Sequence, residues 1–162
     1  MNCRPKRPNP ASQFFVTCNY AAMGEAANER IPCDLEHLKI ACEGKMTQTL
    51  GDPENYLQLA TFWEERGHET GNAHWHGIFV LTRQHRMRPQ QFKVWLQSLV
   101  EELPEPHVEE CKSIKAAAEY RDKPGKAEAW QKWNGNQREP AFFVLIRMAC
   151  YKAVPDTGEE LI

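Results

Sequence analysis

The sequence predicts an α+β protein with a mainly antiparallel central sheet and helices packed on one face, and three observations predict it. Two apolar, β-rich runs, 56–63 and 74–81, are joined by a short polar link rich in Gly, Glu and Asn. Strands so close in sequence pair antiparallel. Three helix-like stretches alternate with the strand-like ones instead of clustering, and the resulting order is β-α-β-β-α-β-α. A chain of 162 residues holds one domain with a real core and is too short for two ordinary ones.

Each element follows from its residues. Residues 1–12 are Pro-rich and basic and read as a flexible arm. Phe14-Phe15-Val16-Thr17-Cys18-Asn19-Tyr20 is rich in aromatic and β-branched types and reads as a strand. The stretch 21–32 reads as a loop, after which Asp34 is placed to cap a helix from Leu35 to about Glu43, closed by Gly44. Gly51-Asp52-Pro53-Glu54-Asn55 is a turn leading into the strand 56–63. After the strand 74–81, Phe92, Trp95, Leu96 and Leu99 recur at i, i+3, i+4 and i+7, the mark of an amphipathic helix over 91–102. Pro104 and Pro106 stop it. His107 to Lys112 reads as a short strand, and Ser113 caps a helix from Ile114 to about Lys123. Periodicity does not decide between helix and strand for Trp130, Trp133 and the run 141–148. The domain is expected to span 13–150, with an acidic flexible tail over 151–162.

Composition excludes several function classes. Charged residues are 26% and hydrophobic ones 41%, the balance of a globular protein. No apolar run approaches the roughly 18 residues needed to cross a bilayer, and the basic N-terminus has no apolar stretch behind it, so an intracellular protein is expected. The six cysteines form no C-x-x-C pair, which argues against structural zinc and for reduced, apolar thiols. No phosphate-binding G-x-x-x-x-G-K-[ST] loop is present, so no ATPase site is encoded. The net charge of −2 gives no global attraction to nucleic acid. A local one is offered by Arg83, His85, Arg86, Arg88 and Lys93, although charge alone makes that run a solvated surface turn.

The chemistry lies in two segments. His74 and His76, at i and i+2 on a strand, point to the same face. Glu64 and Glu65 end the neighbouring strand, and the hairpin brings one of them beside the histidines. Two imidazoles and a carboxylate make a facial site for a divalent metal. Tyr120 and Lys123 share a helix face and offer a nucleophile beside a cation. Together they point to metal-assisted phosphoryl transfer.

Phe15-Val16-Thr17-Cys18-Asn19, then Glu65-Arg66-Gly67 with His74-Trp75-His76-Gly77, then Tyr120-Arg121-Asp122-Lys123 resemble the three ordered motifs of the HUH endonucleases. The likeness covers roughly residues 14–125 and is closest to the single-tyrosine Rep nuclease domains of rolling-circle viruses and plasmids with circular single-stranded DNA. The resemblance implies a ferredoxin- or RRM-like HUH fold. It also implies Mn2+ or Mg2+ held by Glu65, His74 and His76, with Glu64 as the alternative carboxylate. Tyr120 is then the nucleophile, with Lys123 positioning phosphate or metal, and Thr17 and Asn19 belong to a motif that contacts DNA and supports the sheet. Trp75 stands where an aliphatic residue is usual.

The expected activity is nicking and rejoining of single-stranded DNA at an origin stem-loop through a 5′-phosphotyrosine, which initiates rolling-circle replication. DNA contacts are expected from Thr17, Asn19, Arg83, Arg86 and Arg88; Phe15, Tyr56 and Phe62 are candidates for base stacking on a free sheet face only where register places them there, core packing being the expected fate of most. The helicase domain common in the family has no counterpart here, which leaves a nuclease-domain fragment or a small stand-alone protein. A virus of eukaryotes would use such a protein in the nucleus, a bacterial plasmid in the cytoplasm. Two other classes compete: an Fe(II) oxygenase with the same ligand triad, and a non-catalytic ferredoxin-like nucleic-acid-binding module. Metal identity separates the first, and binding that survives a chelator separates the second.

Overall fold

The computed structural model describes residues 6–46, 53–66, 72–101, 103–121 and 130–133. Within them the strands are β1 (Gln13–Asn19), β2 (Leu57–Arg66), β3 (Ala73–Leu81), β4 (His107–Glu110) and β5 (Trp130–Trp133). The helices are α1 (Ala27–Gly44), α2 (Pro89–Leu99) and α3 (Ile114–Arg121), with 3-10 turns at Ala21–Ala26 and Arg83–His85. All strand pairs are antiparallel, and the order across the sheet is β4-β1-β3-β2-β5. The first four strands and first two helices follow the β-α-β-β-α-β order of split βαβ, ferredoxin-like proteins. This is the α+β sheet the sequence predicts.

Alternation along β1 builds the core. Phe14, Val16 and Cys18 are fully buried, and their side chains meet Phe62, Trp75, Phe79 and Leu81 from the other central strands. Ile31, Leu38 and Cys42 of α1 and Phe92 and Leu96 of α2 close over this face, with Phe14 stacked on Phe92 at 4.4 Å between ring centres. Gly77 is needed there. A Cβ on it would lie 2.6 Å from Phe79 Cε2 and 3.3 Å from Trp75 Cζ3, so its missing side chain is what lets both rings fold over the strand.

The other face is not free. Leu59, Trp63, Ile78 and Val80 form a second cluster with Cys111 and with Ile114, Ala117 and Ala118 of α3. Helices therefore occupy both faces, two on one and one on the other. The expectation of a one-sided layer fails because α3 has its own apolar stripe of small residues and finds an unpaired apolar row on the sheet. Ser113 starts α3 as expected, its Oγ accepting from the Ala116 N–H at 3.1 Å.

Helix α1 also departs from expectation, beginning at Ala27 and running through Pro32. Asp34 is not a cap. Its carboxylate is 1% exposed, accepts from the Tyr20 hydroxyl at 2.5 Å and pairs with Arg30 Nε at 2.8 Å. A proline in a helix interior costs about 3 kcal/mol, and the burial of Ile31 together with this polar cluster offsets it. Local capping rules lost to tertiary contacts. The chain before β1 is tied down as well: Ala11 and Met87 exchange backbone hydrogen bonds of 2.7 and 3.0 Å. Trp130 to Trp133, left open by periodicity, forms strand β5 on the β2 edge, while the run 141–148 and the tail over 151–162 lie outside the described residues.

Tyr20 also accepts a 3.1 Å bond from Trp75 Nε1, and burial followed by the Asp34 carboxylate drives its phenol well above the ordinary range. Burial pushes the neighbouring Cys18 thiol from 9.0 to about 12. Above about pH 9 the folded chain thus holds protons that the unfolded chain releases, and stability falls as pH rises. The urea midpoint is expected to decline steadily between pH 9 and pH 12 and to do so less steeply in Cys18→Ala. A midpoint flat across that window in the unmodified chain would contradict the assignment.

Among the described residues no helix is long and apolar enough to cross a membrane.

Candidate metal centre

Register decides which carboxylate joins the histidines. In the β2–β3 pair, Glu65 lies opposite His74 and Trp63 opposite His76, while Glu64 lies opposite Trp75. Partners directly across an antiparallel pair share a face. Glu65, His74 and His76 therefore project from one face, and Glu64 projects from the other, with the Trp75 side. The only register shift in this pair lies between Leu57 and Leu59, far from the site, so no bulge exchanges the two glutamates.

One ligand atom from each of Glu65, His74 and His76 falls within a group no more than 4.8 Å across. Glu65 Oε2 is 3.5 Å from His76 Nε2, and the imidazole rings are 4.8 Å apart at 80°. Each histidine is held at its other nitrogen. Thr17 Oγ1 is 3.0 Å from His76 Nδ1, and the Asn72 carbonyl is 3.2 Å from His74 Nδ1. Such outer contacts orient an imidazole for coordination, and one carboxylate with two imidazoles is a donor set that fits a divalent transition metal.

No protein-family model and no curated protein matches this chain.

Tyr120 comes to the same place from α3. Its hydroxyl donates to Glu65 Oε1 at 3.2 Å, with Oε2 at 3.5 Å, across 55 positions of sequence. Burial, then the Glu65 charge and hydrogen bond, raises its pKa above the ordinary 10.0. Around these groups stand aromatic walls: Phe15 is 5.4 Å from His76 and 6.2 Å from Tyr120, Trp63 is 5.8 Å from His76, and the Tyr120 and His76 rings meet edge-on at 5.6 Å. His76 itself is only 7% exposed.

Other expected residues are scattered. Asn19 pairs with His74 and is exposed at the rim of the site. Arg83, Arg86 and Arg88 follow the far end of β3. From His76 to Leu81 alone the strand spans about 16 Å, so these arginines do not line the metal centre. Arg86 and Arg83 are exposed, Arg88 Nε donates to the Pro8 carbonyl at 3.1 Å, and Lys93 pairs with Glu105. Lys123 lies outside the described residues. Of the stacking candidates, Phe62 is 2% exposed in the α1–α2 core, and Tyr56 packs on His85 and Trp95 away from the site. Phe15 alone of the three borders the metal centre.

Two contacts escaped the sequence reading. Arg121 fits the outer basic face of α3 by pattern, yet it is 5% exposed and donates to Thr61 Oγ1 at 3.3 Å. Thr17, assigned by motif to DNA contact, faces His76. Only the pairing of β1 with β3 reveals that, since nothing local links residues 59 positions apart.

Proposed function

We propose that this chain is a metal-dependent, single-stranded DNA nickase and strand transferase of the HUH endonuclease type, acting as the nuclease domain of a rolling-circle Rep protein. The observation that carries the reading is the hydroxyl of Tyr120 lying 3.2 Å from a carboxylate that itself stands 3.5 Å from His76. A candidate nucleophile and a candidate two-histidine, one-carboxylate cluster thus converge from three elements. The ordered motifs in the sequence and the antiparallel sheet support the same reading.

In this reading the substrate is single-stranded DNA at an origin stem-loop. Glu65, His74 and His76 would hold a Mn2+ or Mg2+ ion, which would supply Lewis-acid polarisation of a phosphoryl oxygen. Tyr120 Oη attacks the scissile phosphorus in line, and the Oη–P bond forms as the bond from phosphorus to O3′ breaks. The phenolic proton leaves Oη, where Glu65 Oε1 already receives it as a hydrogen bond, and the departing oxygen takes up a proton to become a free 3′-hydroxyl. Attack by another 3′-hydroxyl on the phosphotyrosine reverses these bond changes, rejoins the strand and restores Tyr120. The phosphodiester energy is conserved in the covalent link, so ATP is not needed. Asn19 at the exposed rim and Phe15 beside the nucleophile are the near-site candidates for DNA contact. Arg83 and Arg86 would meet only a strand that runs the length of the sheet.

Mixing the protein with origin-type stem-loop oligonucleotides and Mn2+ is expected to yield a denaturation-resistant band of higher mass that EDTA suppresses. If no oligonucleotide from a panel of such hairpins gives an adduct, while the protein binds Mn2+ normally, the nickase reading is wrong.

A further inference from the structure

We propose that Thr17 is a positioning residue for His76, its hydroxyl holding Nδ1 so that Nε2 is turned toward Glu65 for coordination. The inference rests on the metal-centre reading given above and adds to it the part that prepares one of the ligands.

A neutral imidazole has one N–H and one lone pair, and the contact at the first nitrogen decides what the second can offer. At His74 the contact is a backbone carbonyl, 3.2 Å from Nδ1. A carbonyl only accepts, so Nδ1 carries the hydrogen and Nε2 keeps its lone pair. At His76 a side-chain hydroxyl meets Nδ1 instead. Its Nδ1 faces Thr17 Oγ1 at 3.0 Å, and its Nε2 faces Glu65 Oε2 at 3.5 Å. A hydroxyl accepts as well as donates. By accepting from Nδ1–H, Thr17 gives His76 the same tautomer that the Asn72 carbonyl gives His74, and both rings then present Nε2 to one point.

The placement is a consequence of the sheet. Thr17 is the direct partner of His76 in the β1–β3 pairing, on the same face, at the centre of a sheet whose next pair on that face joins the exposed Asn19 to the half-buried His74. The ring is also confined by Phe15 and Trp63, whose edges and faces offer no hydrogen-bond acceptor of comparable strength. Thr17 is thereby the side chain on β1 that can fix the ring's rotation, while the aromatic walls only limit it.

Three proteins test this: the unmodified chain, Thr17→Val, which keeps the branched shape and removes the hydroxyl, and Thr17→Ser, which keeps the hydroxyl. In Mn2+ calorimetry Thr17→Val is expected to bind about 10- to 100-fold more weakly, with Thr17→Ser close to the unmodified chain. The thermal midpoint in chelator should stay similar in all three. In long-range 1H–15N spectra of the metal-free protein, recorded well above the ordinary imidazole pKa of about 6.5, the His76 Nδ1 resonance should move in Thr17→Val and not in Thr17→Ser. An unmoved Nδ1 resonance in Thr17→Val overturns the proposal, and so does a Thr17→Ser protein that behaves like the valine variant. If the unmodified chain binds no Mn2+ while Nδ1 still responds, the metal centre fails and the ring-orienting contact stands.

Discussion

Tyr120→Phe is expected to abolish DNA nicking and the covalent adduct, lowering the cleavage rate by at least about 10³-fold, because removal of a nucleophile leaves only the rest of the site's contribution. Binding of the same oligonucleotide should change little. The change takes away one oxygen and keeps the ring, so the edge contacts with Phe15 at 6.2 Å and His76 at 5.6 Å persist. Glu65 loses a donor but keeps its place 3.5 Å from His76 Nε2. Three readings on one preparation make the test: oligonucleotide cleavage, gel-shifted adduct, and fluorescence anisotropy of the DNA. Cutting at the normal rate by the phenylalanine variant would assign the nucleophile elsewhere. Loss of cutting together with loss of binding would point instead to a DNA contact.

His74→Ala is expected to weaken Mn2+ binding by about 100-fold or more, since outer-shell partners alone are worth about 10- to 100-fold, and to remove nicking in parallel. His74 is the better choice of the two histidines. His76 is buried among Phe15, Trp63 and Tyr120, so its truncation also opens a cavity and confuses affinity with stability. His74 sits on the outer part of the strand with its Nδ1 on the Asn72 carbonyl, and removing it leaves the packed face intact. Calorimetry with Mn2+ and a melting curve in chelator separate the two effects. Unchanged affinity would remove His74 from the ligand set, and a melting point lowered by many degrees would recast it as a structural residue.

These two residues show how unevenly the site was written in the sequence. His74 and His76 share a face because a strand alternates with a period of two, which is a local property of any extended chain. That Glu65 rather than Glu64 joins them depends on the β2–β3 register. A one-residue slip would exchange the two glutamates, and both are compatible with the local pattern. The approach of Tyr120 depends on α3 crossing to the face opposite α1 and α2. Its small residues, Ala117 and Ala118, pack against Trp63, Ile78 and Val80 there, a preference for which there is no short-range signal.

Errors of local reading had the same origin. Asp34 has the chemistry of a helix cap, and a rule limited to neighbouring residues assigns it that role. In the fold its carboxylate answers Tyr20 and Arg30. The basic run after β3 is contiguous in sequence with the histidine strand, yet it lies at the far end of the sheet, because a strand separates its ends by about 3.3 Å per residue.

The amino-acid order alone determined strands β1 to β4 and helices α2 and α3, the antiparallel α+β class, the shared face of the two histidines and the capping of α3 by Ser113, all of which follow from periodicity and side-chain chemistry within a few residues. Tertiary structure alone decided the carboxylate, the meeting of Tyr120 with Glu65, the contact of Thr17 with His76 and the burial of Arg121. Those depend on register and on which sheet face a helix covers. Both are set by the sum of many distant packing contacts, and no short stretch of chain contains that sum.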